Sequence, residues 1–147
     1  MKILICGLPG SGKSTLAEPF AKLIGGVWIN ADAVRERYND WDFTPEGRIR
    51  QANRMKHLSD GVVMADKIAV ADFVCPTDQA REEFNADFVV WMDTIKEGRF
   101  KDTNKMFQKL KNVDYHVSGW FTDTSAQLLK VVKWWIAKQN DEPTERM

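Results

Sequence analysis

The apolar run Ile3-Leu4-Ile5-Cys6 passes directly into Gly7-Leu8-Pro9-Gly10-Ser11-Gly12-Lys13-Ser14, a complete G-x-x-x-x-G-K-[ST] string, and then into Thr15-Leu16-Ala17-Glu18. No other feature constrains this chain as much. A loop of that composition turns successive backbone N–H groups inward around an anion, and the helix that follows points its positive end at the same place. Glycines are needed where the loop takes positive φ or where a Cβ would collide with a phosphate oxygen. Strand, loop and helix in this order predict a phosphate loop, with Gly7, Pro9, Gly10, Ser11, Gly12, Lys13, Ser14 and Thr15 as the nucleotide-binding set. Lys13 is expected to reach the β- and γ-phosphates and the Ser14 hydroxyl to sit on Mg²⁺, which makes ATP and Mg²⁺ the expected cofactors.

The rest of the chain repeats the alternation of short apolar runs and amphipathic stretches. Strands are expected over residues 2–6, 27–30, 67–72, 87–92 and 114–117, and helices over 13–24, 33–38, 45–59, 78–84 and 125–138. Continuous apolarity within a strand means burial on both faces. The expected fold class is therefore α/β, a P-loop nucleoside triphosphate hydrolase fold whose five-stranded parallel sheet carries helices on both faces. Thr44 ahead of Pro45 reads as an N-cap with proline at the first helical position, and Thr124 with Gln127 reads as a capping box. Gly25-Gly26 is expected to end the first helix and Gly61 the third. A single domain is expected over 1–139, followed by a tail over 140–147 that lacks an apolar period and is expected to fray.

The chain of 147 residues carries 21 basic and 21 acidic residues, with a pI near 6.7. That balance argues against gripping an extended nucleic acid and leaves a small nucleotide-like substrate as the expected partner. Cys6 and Cys75 each end an apolar run and match no metal or redox spacing, so reduced thiols are expected. After Met1 and Lys2 only four apolar residues precede the loop, too few for the apolar region of a signal peptide, and no run reaches membrane-spanning length. A cytoplasmic protein with no membrane partner is the expectation.

Ligands of open parallel sheets bind beyond the carboxyl ends of the strands. After the second strand comes Asn30-Ala31-Asp32-Ala33-Val34-Arg35. Asp32 there reads equally well as a group that orients or deprotonates an acceptor hydroxyl and as a helix N-cap, while Arg35 suits a substrate phosphate or sulfate. After the third strand comes Asp72, a candidate Mg²⁺ carboxylate or a turn residue. Phe43 and Arg48 flank the start of the third helix, with Arg50 and Arg54 continuing a basic face, a combination that suits stacking and anion pairing. The charged stretch 94–111 is read as a lid over the nucleotide, against the alternative of a solvated helix with a turn at Gly98.

Taken together, Gly7 to Thr15, then Asn30 to Arg35, then Asp42-Phe43-Thr44-Pro45-Glu46-Gly47-Arg48 resemble the adenylylsulfate (APS) kinases. That family carries G-x-x-x-x-G-K-S-T, D-G-D-N-x-R and G-F-S-x-x-D-R in this order and at similar spacing, and an I-S-P segment echoed by Val74-Cys75-Pro76. The resemblance covers roughly the first half of the chain. It implies transfer of the γ-phosphate of ATP to the 3′-hydroxyl of adenosine 5′-phosphosulfate. Asp32 takes the catalytic position, Arg35 and Arg48 the substrate-anion positions, Phe43 the place of the adenine-stacking aromatic, and Arg81 that of an arginine after I-S-P. Gln51 stands where the family has an asparagine, Asn30 where it has the first aspartate, and Ala33 where it has the last asparagine. The family's K-G-L-Y-K lid segment is replaced by residues 98–104, in which Arg99, a candidate catalytic cation, and Lys101 are the lid charges. A homodimer is an open alternative. Rival readings are a P-loop kinase for a polynucleotide 5′-hydroxyl, a nucleotide or another metabolite, and a non-catalytic nucleotide-binding module.

Overall fold

The structure, a computed structural model, describes residues 1–98 and 100–145, with side chains as far as Asn140. Arg99 lies outside the described residues, as do positions 146 and 147 of the expected tail. Five strands, β1 (Lys2–Gly7), β2 (Val27–Asn30), β3 (Ala69–Asp72), β4 (Phe88–Met92) and β5 (Tyr115–Val117), form one sheet in the order β2-β3-β1-β4-β5. Every pairing is parallel. β1 lies at the centre with all six residues buried, which is why its run Ile3 to Cys6 is continuously apolar.

Side-chain alternation sorts the core into two layers. Ile3, Ile5, Val70, Phe88, Val90 and Met92 face one side, where they meet Leu16 and Phe20 of α1 (Lys13–Ile24) and Leu128 and Val132 of α6 (Thr124–Glu145). Leu4, Cys6, Ala69, Ala71 and Trp91 face the other, against Met55 of α3 (Pro45–Met64) and Phe84 of α4 (Asp78–Phe84). Helices α2 (Ala31–Tyr38) and α5 (Lys101–Met106) complete the set. Among the described residues no helix is long and apolar enough to cross a membrane.

Several boundaries differ from the sequence reading. α2 begins two residues early because Asn30, not Asp32, is its N-cap, the Asn30 side-chain oxygen accepting from the Ala33 N–H at 2.9 Å. Gly61 does not end α3; it lies inside the helix, which continues to Met64, and the reversal falls at Asp66 with φ of 62°. The Thr124 and Gln127 capping box does not form. The Thr124 hydroxyl turns back to the Phe121 carbonyl at 2.7 Å and Gln127 donates to the Asp123 carboxylate at 2.8 Å, so Asp123 occupies the cap place. α6 runs on to Glu145, beyond the expected end at Lys138. Within 94–111 the structure has one short helix, α5, beyond Gly98. The Thr44 cap and the Gly25 terminus stand where the sequence puts them, Gly25 with φ of 69°.

Phe20 is fully buried between α1, α6 and the sheet. Phe20→Ala is expected to lower unfolding free energy by about 3–5 kcal/mol, the usual cost of a large aromatic cavity, and urea denaturation followed by far-UV circular dichroism checks it.

Candidate active site

The site is assembled at the carboxyl ends of β1, β2 and β3. β1 delivers Gly7, where a Cβ would stand 2.5 Å from the Met92 carbonyl oxygen, so only glycine allows β4 to pass this close. Gly12 takes a left-handed φ of 96° and forms the N-cap of α1 without a side-chain cap bond, leaving the first N–H groups of the helix for an anion. The loop is braced from β4's side. Thr94 Oγ1 donates to the Ser11 carbonyl at 2.6 Å, and Pro9 lies against Gly98. Between these pieces is a cavity of about 220 Å³ lined by Gly10, Ser11, Gly12, Thr15, Thr94 and Trp120.

Lys13 Nζ donates to the Leu8 carbonyl at 3.0 Å. Burial pushes its pKa down, while Asp72, Cys6 and Asp32 oppose that shift in that order. Across from it, Asp72 is 2% exposed, and its pKa is raised by burial against the hydrogen bonds of Trp28 and Asn30 and the charge of Lys13. The Ser14 hydroxyl is 3.5 Å from Asp72 Oδ1. An exposed hydroxyl beside a buried carboxylate is a hard-oxygen donor pair that fits Mg²⁺. Among the described residues no group of three or more acid, histidine or cysteine side chains forms a self-sufficient metal cage. The ion would therefore be held by Ser14 and Asp72 together with phosphate oxygens and water.

Around α2 and the start of α3 the expected residues are brought together, but most are already engaged. Asp32, in the first turn of α2, is exposed and makes no hydrogen bond or ion pair among the described residues. Its field nevertheless reaches Lys13, Arg35 and Asp72. Arg35 is buried and donates through Nη1 to the Asp40 and Asp42 carbonyls at 3.0 and 3.1 Å. Its guanidinium lies 4.3 Å from the centre of the Phe43 ring, with that of Arg48 at 5.7 Å. Phe43 is 54% exposed. Arg48 donates to the Phe43 carbonyl at 2.9 Å and to Thr103 Oγ1 of α5 at 3.2 Å. Gln51 is buried and donates to the Ala31 carbonyl at 2.8 Å, fastening α3 to α2. Arg81 is engaged through all three of its nitrogens: with the Cys75 carbonyl at 2.9 Å, Asp78 at 3.0 Å and the Gln108 carbonyl at 2.7 Å, with Phe107 5.0 Å away.

Three contributors were not singled out for the site from sequence. Trp28 reaches Asp72 because β2 pairs with β3 in register, and nothing in the isolated string Val-Trp-Ile-Asn signals that contact. Trp120 and Thr94 line the cavity from segments after β5 and β4, positions that the rule about strand carboxyl ends could have flagged. The basic face of α3 is not merely solvated. Arg50 pairs with Asp40 at 3.1 Å and Asp42 at 2.8 Å, and Arg54 with Asp40 at 2.6 Å, pinning the loop that carries Phe43.

That pinning sets an acid sensitivity. Bonds from Thr44, then Arg50, hold the Asp42 pKa down at about 2 from an ordinary 3.8, and Arg50, Arg54 and the Asp42 N–H hold Asp40 lower still. A carboxylate depressed on folding adds stability that is complete above its unfolded value and lost as pH falls through its folded value. Stability contributed by this loop is thus expected to disappear as pH drops from about 4 toward 2. Arg50→Gln should lower the neutral plateau of a plot of urea midpoint against pH, and so flatten the acid limb, while leaving the midpoint near pH 2 nearly unchanged.

The comparisons agree with this geometry at the level of fold. A family model described as an AAA domain matches residues 3–89. The APS kinase of Mycobacterium tuberculosis, in complex with AMPPNP and APS, shares 17% identity and a TM-score of 0.67, over 90% of this chain and 96% of that one. A gluconokinase from Sinorhizobium meliloti shares 14% identity with a TM-score of 0.61, over 99% and 96%. Shikimate kinase from Acinetobacter baumannii, in complex with shikimate, shares 18% with a TM-score of 0.58, over 94% and 93%. No curated protein matches the chain in sequence. The fold is that of small-molecule P-loop kinases, and because the matched span takes in more than half of the chain, from β1 through the phosphate loop to β4, the protein belongs to the AAA domain family.

Proposed function

We propose that the protein is a small-molecule kinase that transfers the γ-phosphate of ATP to a hydroxyl group, with the 3′-hydroxyl of adenosine 5′-phosphosulfate as the leading acceptor. The observation that carries this reading is Asp32. It is an exposed carboxylate without a hydrogen bond or ion pair among the described residues, its charge felt at Lys13, on the helix that also holds Arg35 against Phe43. Asn30 already caps that helix, so the capping role does not account for Asp32.

In the proposed reaction the terminal P–O bond of ATP breaks, a new bond forms from phosphorus to the acceptor oxygen, ADP leaves, and the acceptor proton passes to Asp32. Lys13 exchanges its bond to the Leu8 carbonyl for phosphate oxygens and stabilises the charge of the transferring group. Bound Mg²⁺ would supply further neutralisation of the β- and γ-phosphates. Arg48, which bridges the Phe43 loop to α5, couples the acceptor side to the lid segment in which Arg99 and Lys101 are the proposed cations.

A second acceptor class has its own support. The donors of Arg81 and Gln51 go to protein groups, and two guanidiniums already lie over Phe43. A compact anionic hydroxy acid therefore suits this side as well as a stacked purine, and the gluconokinase and shikimate kinase matches carry the same fold.

Incubation with Mg²⁺ and labelled ATP against adenosine 5′-phosphosulfate, gluconate, shikimate, nucleosides and 5′-hydroxyl oligonucleotides tests these readings. Phosphorylated adenosine 5′-phosphosulfate is the expected product. ATP binding with no transfer to any acceptor would instead identify a nucleotide-binding module. Lys13→Met is expected to lower kcat by about a hundredfold or more with the melting temperature nearly unchanged. Asp32→Asn should lower kcat by about a hundredfold to ten-thousandfold at constant KM for ATP; a variant altered only in melting temperature would remove Asp32 from the chemistry.

A further inference from the structure

Asp72 is the most buried charged group of the site, and its two oxygens are used unequally. Oδ2 accepts the Trp28 indole N–H at 2.5 Å and the Asn30 amide at 3.2 Å. Oδ1 accepts the same amide at 3.1 Å and faces the Ser14 hydroxyl at 3.5 Å. Asn30 Nδ2 also stands 3.1 Å from Ser14 Oγ, so the amide bridges both members of the proposed Mg²⁺ pair.

The sheet explains how these groups meet. Parallel pairing sets Asn30 beside Asp72 and Trp28 beside Val70. Residues two apart on a strand share a face, so Trp28, Asn30 and Asp72 all project toward α1, where Ser14 opens the helix. The body of Trp28 packs on the apolar layer of that face. Its only polar atom is the indole N–H, which a half-buried tryptophan must satisfy, and it does so on a carboxylate. A carboxylate rotates easily about its last bond. With Oδ2 tied, Oδ1 stays turned toward Ser14.

We propose that Trp28 is a positioning residue for the cation end of the nucleotide site, acting through Asp72 by fixing which carboxylate oxygen faces Ser14. Asn30 does the same from the neighbouring register position. This rests on the reading of the site as a Mg²⁺-nucleotide site, which the same experiment tests separately.

The measurement is the affinity of a fluorescent ADP analogue with and without Mg²⁺, whose ratio gives the metal-dependent enhancement. Trp28→Phe keeps the aromatic body and removes the donor. It is expected to cut the enhancement by about tenfold or more while leaving metal-free affinity within about twofold, as loss of an outer-shell partner commonly weakens metal binding. In the Asp72→Asn background, Trp28→Phe should cost nothing further, because its partner is already changed. Should Trp28→Phe fold poorly, Asn30→Ser keeps the helix cap, removes the amide donor and is expected to shift the ratio in the same direction. An unchanged ratio in the variant that folds overturns the proposal. So does an equal loss of metal-free affinity, or independent, additive losses in the double variant. Wild-type protein that binds the nucleotide without any Mg²⁺ enhancement overturns this inference alone, whereas wild-type protein that binds no nucleotide overturns the kinase reading as well.

Discussion

Everything in this site depends on one junction, where a fully buried central strand stops and a helix starts with its N–H groups uncapped. β1 is held from both sides by β3 and β4, so the loop after it cannot drift. Gly12 in a left-handed conformation turns those N–H groups toward a common point instead of letting a side chain cap them. A positive helix end presented this way is costly unless an anion occupies it, and the bracing of Ser11 by Thr94 keeps the loop open in the meantime. The charge balance follows from the same junction: Lys13, desolvated beside the loop, is set against Asp72 and Asp32.

The region around α2 and α3 is organised by a different principle. There the arginines are chiefly fasteners. Arg35 ties the turn after α2, Arg50 and Arg54 converge on Asp40, and Arg81 joins the end of β3 to the segment beyond α5. Such bonds to backbone carbonyls and carboxylates remove cations from the pool available to a substrate, yet they hold the loop that carries Phe43 in place. The kinase reading therefore leans on placement more than on a surplus of charge.

The alternation of short apolar runs with amphipathic stretches was enough to predict the strands, the parallel sheet and both helix layers; burial on two faces explains the pattern at β1 and β3, while the edge strands β2 and β5 are only partly covered. Local chemistry also placed the Thr44 cap and the Gly25 terminus. It failed where two local signals competed. Asn30 and Asp32 are both good cap residues, and the choice fell to Asn30 because pairing of β2 with β3 carries the strand as far as Asn30. Gly61 looked like a terminus, but the apolar residues beyond it, Val62 and Val63, pack on the second core layer and carry the helix past it. Thr124 looked like a cap, and its hydroxyl was taken by Phe121 instead.

The sequence alone determined the phosphate loop and its lysine, because spacing within a single strand–loop–helix turn is a local property. It also determined the fold class, because burial patterns are written residue by residue. Only the tertiary structure decided which donors are engaged internally, as for Arg35, Gln51 and Arg81. Only it brought Trp28 and Asn30 onto Asp72, from positions 44 and 42 residues away in the chain. Strand register fixes those encounters, and register is a property of two strands together that neither segment carries by itself.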